Sequence, residues 1–147
     1  MITNDVQYRT TDTLLDRFQL AVTGLEVGLD AADNKKLCQL QIDAARAQAQ
    51  DLAPEIDEYE QLLSGSTTSF SADSLRDLPL MLVRARVARG WSQTRLASRL
   101  GIAEQQIQRY EANGYATASL TRLCEVADAL GLHIRETAEL TLDTSAA

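Results

Sequence analysis

The side chains with the most to offer chemically lie close together. Glu104, Gln105, Gln108 and Arg109 fall in the stretch Ala103–Tyr110, AEQQIQRY. Glutamine can bridge adenine N6 and N7, arginine can hold guanine O6 and N7, and glutamate can accept from cytosine N4. Arg95 and Arg99, just upstream, suit phosphate oxygens, whose contacts fix register rather than sequence. Catalysis has no comparable support. His133 is the only histidine and stands apart from any acid or thiol that could work with it. No Gly-rich phosphate loop, nucleophile–base set or paired-carboxylate cleft stands out. Cys38 and Cys124 sit alone in helical patterns with no CxxC spacing, so both are expected to be buried thiols, neither disulfide-bonded nor metal-bound. The residues therefore point to no enzyme, no metal and no cofactor.

Base-reading side chains need a rigid support, and the flanking sequence supplies one. Ser92 can cap a helix by accepting from a free backbone N–H. Gln93 to Leu100 then places Leu96 and Leu100 on one face, beside the small Ala97. Gly101 allows the positive φ that a sharp turn needs. A second helix over Ala103–Tyr110 turns Ile107 and Tyr110 inward. Two short helices joined by a tight turn make a helix-turn-helix. In that arrangement the second helix enters the major groove by its N-terminal end, so Glu104, Gln105, Gln108 and Arg109 would face DNA. Trp91, directly after Gly90, reads as core.

Arg86, Gln93, Leu96-Ala97, Gly101, Ile107 and Glu111, in this order and spacing, resemble the XRE (Cro/phage-repressor) helix-turn-helix family over Leu78–Arg135. The resemblance implies that Arg86 and Glu111 form a largely buried ion pair joining the first helix to the end of the reading helix. It also implies that Gln93 contacts a backbone phosphate and braces the reading helix, while Ala97, Gly101 and Ile107 hold the motif's shape.

At 147 residues the chain can form one domain, or a small domain with a helical appendage. A hydrophobic content of 45% is ordinary for a globular protein and argues against disorder throughout. No apolar run is long enough to span a membrane and no signal segment is evident, so the expected location is cytoplasmic. The net charge of −7 argues against general nucleic-acid affinity, but the charge is uneven. Residues 1–77 hold six Lys/Arg against fourteen Asp/Glu, whereas residues 78–111 hold six arginines against Glu104 and Glu111. The basic character is confined to the motif, where phosphates would be met.

The helical pattern extends well beyond the motif, and the fold class is all-α. Residues 1–10 are polar and expected to fray. Leu14, Phe18, Val22, Leu25 and Leu29 then recur at three and four, predicting a helix over 11–30. Asp33-Asn34 can cap a second helix striped by Leu37, Leu40, Ala44 and Ala47, which Pro54 is expected to break or kink. The SGSTTSFS stretch, Ser64–Ser71, is a linker whose Phe70 should tuck back onto a helix. Ser74 and Asp77 form a capping box. Leu78, Leu80, Met81, Leu82, Val83 and Val87 follow on a helix with apolar groups wide enough to pack two ways. Asn113-Gly114 makes a turn, and Ser119 caps the last helix. The expected division is an N-terminal helical region over 1–65, a linker over 66–73, an XRE-type domain of about five helices over 74–140, and a disordered tail over 141–147.

The N-terminal stripes exceed what a helix-turn-helix needs for its own core. Leu14, Phe18, Val22, Leu25, Leu37 and Leu40 are therefore candidates for dimerisation, and a homodimer on an inverted-repeat operator is expected. The whole layout is also similar to antitoxin regulators of the HigA kind. That resemblance implies autoregulation and neutralisation of a small basic RelE/HigB-like ribonuclease, although many HigA proteins lack so long an N-terminal part. A free-standing phage or host repressor, and a helical adaptor without DNA binding, are the alternatives.

Overall fold

The structure is a computed structural model that describes residues 1–140. The expected tail over 141–147 lies outside the described residues. Six α-helices follow in order: α1 (Asp5–Gly28), α2 (Lys35–Leu63), α3 (Leu78–Ala88), α4 (Gln93–Leu100), α5 (Glu104–Ala112) and α6 (Leu120–Ala129). Single 3-10 turns precede α2 and α3, and no strand occurs among the described residues, so the chain is all-α. None of these helices is long and apolar enough to cross a membrane.

α1 and α2 form a long antiparallel hairpin. Asn4 starts α1 by accepting from the Gln7 amide, and Asn34 starts α2 by accepting from the Leu37 amide. Residues 1–10 do not fray, contrary to expectation. Ile2 is buried with Tyr59, Leu62 and Val87, and α1 begins at Asp5 rather than near residue 11. Burial of one isoleucine against three apolar side chains from distant segments fixes a stretch whose local sequence is polar.

Three further expectations change. Leu15, not Leu14, is the buried residue of α1, with Phe18, Val22 and Leu25 half-buried along the seam. The stripe Leu37, Leu40, Ala44 and Ala47 faces solvent, and α2 instead buries Cys38, Ile42, Ile56, Tyr59 and Leu62. α2 carries two apolar stripes about a quarter-turn or more apart, and only one can meet α1. Pro54 does not break α2, which continues through it to Leu63. Pro54 is exposed, so its ring lies on the outside of the helix.

The hairpin has two unlike sides. One carries Asp12, Asp16, Glu26 and Asp43, with Arg46 bridging Glu26 at 2.6 Å across the two helices. The helical repeat places Leu14, Arg17, Ala21 and Gly28 of α1 on the opposite side, beside the α2 stripe of Leu37, Gln41, Ala44, Gln48, Asp51 and Glu55.

α3 joins the two halves. Its Leu78, Leu82 and Val83 enter one core with Leu96, Ile107, Val126 and Leu130, while Val87 enters the other with Ile56 and Tyr59. Phe70 of the linker packs against both cores. Arg84 pairs with Glu58 of α2 at 2.6 Å, adding a polar tie beside the apolar one.

Candidate nucleic-acid interface

The helix-turn-helix forms as its local sequence requires. Ser92 accepts from the Arg95 amide and opens α4. Gly101 ends α4 at φ 66°, a left-handed conformation that costs glycine nothing. Ile102 donates from its amide to the Ala97 carbonyl, closing the turn at 3.1 Å. Ala103 then precedes α5, and the expected helix shifts by a residue to Glu104–Ala112. Leu96, Ala97 and Ile107 are buried at the crossing of α4 and α5. The small Ala97 lets the two backbones come close.

α5 has a sharp division between its faces. Ile107 is fully buried, whereas Glu104, Gln105, Gln108 and Arg109 are all exposed on the outer surface. Gln108 donates to Glu104 at 2.8 Å, so these two share one turn of the outer face. Gln105 and Arg109 make no side-chain hydrogen bond among the described residues, and both lie one helical turn apart on that face. A pair of unengaged donors at this spacing suits contact with successive base edges.

Behind this face lies a deeply buried ion pair. Arg86 is 2% exposed. It donates from Nε to Glu111 Oε1 at 2.6 Å and from Nη2 to Oε2 at 2.7 Å, a two-point grip on the carboxylate. Nη1 donates to the Trp91 carbonyl at 2.6 Å, and Nη2 also donates to the Thr3 carbonyl at 2.7 Å. One side chain thus ties α3 to the end of α5, to the loop before α4 and to the segment before α1. The ion pair implied by the resemblance is present. The link to Thr3 was not legible, because a backbone carbonyl leaves no mark in a sequence.

Gln93 donates from Nε2 to Glu111 Oε2 at 2.7 Å, so it braces α5 through the same carboxylate. Arg95 and Arg99 are exposed and stack over Trp91, with guanidinium carbons 4.9 and 5.9 Å from the ring centroid. Arg89 joins them at 5.6 Å. Trp91 is buried in the core as expected, yet its outer face also carries three cations. Arg89 was missed as a member of this group, since only the fold brings it to Arg95 and Arg99.

The structure adds a neighbour to the reading face. A cleft of about 580 Å³ brings Asn4 and the α1 residues Asp5 and Gln7 beside Gln93, Thr94, Glu104 and Gln108. Of the residues expected to mediate dimerisation, Leu14, Leu37 and Leu40 are exposed, while Phe18, Val22 and Leu25 are half-buried inside the hairpin. Cys38 is buried and Cys124 is exposed, so the expectation of two buried thiols is met only by Cys38. His133 is exposed beyond α6.

No curated protein and no solved structure matches the chain. Residues 82–136, which run from α3 past α6, match a family model described as Helix-turn-helix. That match covers the part of the chain that holds the exposed outer face of α5 and its buried Arg86–Glu111 support, and it supports a DNA-binding transcription regulator.

Proposed function

We propose that the protein is a sequence-specific repressor that binds an inverted-repeat operator as a dimer and controls its own promoter. The observation that carries this reading is the unengaged outer face of α5, with Gln105 and Arg109 held in place by a buried ion pair beneath them. Gln105 and Arg109 read bases, Glu104 and Gln108 contribute at the same turn, and Arg95 and Arg99 contact phosphates. Gln93 braces the C-terminal end of the reading helix through Glu111.

The finer part of the proposal is a HigA-like antitoxin role. The acidic side of the hairpin favours a small basic protein such as a RelE/HigB-like ribonuclease, because complementary charge speeds encounter and selects partners. The similarity of the whole layout to HigA regulators points the same way.

The test is binding to the chain's own upstream promoter fragment across a salt series, beside Gln105→Ala and Arg109→Ala. Specific binding that weakens with salt, and falls about 5- to 100-fold in each variant while the helical content is kept, is the expected result. Equal affinity for promoter and scrambled DNA by a folded protein would overturn it.

A further inference from the structure

Residues 78–103 hold five arginines and no Asp or Glu. Arg84 pairs with Glu58 and Arg86 with Glu111. Arg89, Arg95 and Arg99 form no ion pair and donate no side-chain hydrogen bond among the described residues. They converge instead on Trp91, with guanidinium carbons 5.6, 4.9 and 5.9 Å from its ring centroid. On α6, which packs against α4, Glu125 is taken by Arg122 at 2.6 Å, and Asp128 forms no ion pair among the described residues. Three cations gathered at one ring repel one another, and no carboxylate among the described residues relieves that repulsion. We propose that Arg89, Arg95 and Arg99 form one clamp for successive phosphates of a single DNA strand, with Arg89 a contact outside both helices of the motif.

The clamp is assembled before any ligand arrives. Trp91 is a fixed platform, because the rest of its ring is sunk in the core. A guanidinium stacked on a ring keeps its N–H edge free, and that edge matches two oxygens of a phosphate. Arg89 is confined from a second side as well. Its Nη2 lies so close to Gly131 that a Cβ there would stand 2.6 Å away. Arg95 and Arg99 stand one turn apart on α4. Side chains held in this way lose little rotamer freedom on contact, so more of each contact shows as affinity.

Position and span select the occupant. Trp91 also lines the cleft shared by Gln93, Glu104 and Gln108, so the platform borders the reading face. A duplex docked on α5 carries its backbone past this flank. Each guanidinium carbon lies within 5.9 Å of one centroid, so no two stand further apart than about 12 Å, twice that distance. That span is no wider than the major groove, at about 12 Å, and one strand advances only about 3.4 Å of axis per phosphate. The three arginines therefore suit neighbouring phosphates on one strand rather than the two walls of the groove.

The proposal rests on the DNA-binding reading and extends it to a residue that the helix-turn-helix pattern does not announce. The test is Arg89→Ala against the promoter fragment and a scrambled duplex, across a salt series. Affinity should fall about 3- to 10-fold for both duplexes alike, and the slope of log affinity against log salt should shrink by about 0.9. Arg89→Lys keeps the charge and should keep the slope while losing part of the affinity. Arg76→Ala, at the opposite end of α3, should leave the slope unchanged, and circular dichroism should show the same helix in all variants. An unchanged slope in Arg89→Ala, with the wild type still preferring its promoter, would overturn the clamp alone. A loss confined to the promoter would also overturn it, since that marks base reading. Tight binding of inorganic tripolyphosphate, abolished in Arg89→Ala while DNA binding is untouched, would assign the cluster to a free polyphosphate instead. A wild type with no salt-dependent affinity for either duplex would sink the DNA reading, and the clamp with it.

Discussion

Arg86 shows how one side chain can organise two regions of a chain. Four of its five guanidinium hydrogens meet a carboxylate and two backbone carbonyls in a deeply buried site. Removing one partner leaves the other charge buried, so Arg86→Met or Glu111→Ala should cost about 3–5 kcal/mol in urea-induced unfolding. Tyr115 presents the opposite case. It is buried at φ 57°, stacks on Tyr110, and its hydroxyl has no hydrogen-bond partner among the described residues. Tyr115→Phe removes an unsatisfied group and keeps the ring, so it should be neutral or stabilising by about 1 kcal/mol. Burial, and then the nearby Glu111, raises the Tyr115 pKa above the ordinary 10.0. Burial raises Tyr59 as well, and the hydrogen bond to Glu60 pushes Tyr8 up to about 12. A raised folded-state pKa contributes stability that is complete below pH 10 and lost as pH rises through the folded value. Unfolding free energy should therefore decline between pH 10 and 12, and Tyr115→Phe should flatten that decline. A profile with no slope there would refute the assignment.

At the scale of elements, the sequence is most legible where the determinants are local. The caps at Asn34, Ser92 and Ser119, the Ser74–Asp77 box and the left-handed Gly101 each depend on residues within one turn, and each forms as its local pattern requires. The exposed row of α5 follows from the same kind of pattern, because the buried Ile107 fixes which way the helix turns. α2 is the instructive failure. Leu37, Leu40, Ala44 and Ala47 satisfy a helical repeat as well as Cys38, Ile42, Ala45 and Ala49 do, and periodicity cannot say which stripe meets α1. Pro54 misleads differently. Its ring costs one backbone hydrogen bond, but packing of Ile56, Tyr59 and Leu62 on the far side outweighs that loss. Restoring the donor with Pro54→Ala should accordingly stabilise the protein by about 1–3 kcal/mol, seen as a higher thermal midpoint. A lower midpoint would mean the proline sets a bend that the hairpin needs.

Across the whole molecule, the two halves share α3 and the Arg86 hub and are not merely tethered by the linker. The N-terminal segment illustrates why this was hidden from the sequence. Ile2 lies among Tyr59, Leu62 and Val87, partners more than fifty residues away, and nothing local to residues 1–10 announces them. The hydrogen bond from Arg86 to the Thr3 carbonyl has a thermodynamic consequence. The guanidinium that positions the reading helix is completed by the segment leading into α1, so the two share part of one local unfolding event. Whatever changes the free energy of docking that segment changes the ordering of α5 by a related amount, and linkage makes the effect reciprocal. Operator DNA should then slow amide exchange in the first turn of α1 as well as in α5. Conversely, a protein partner that pulls Ile2 and Thr3 from their seat should loosen the grip on DNA without touching a base-reading residue.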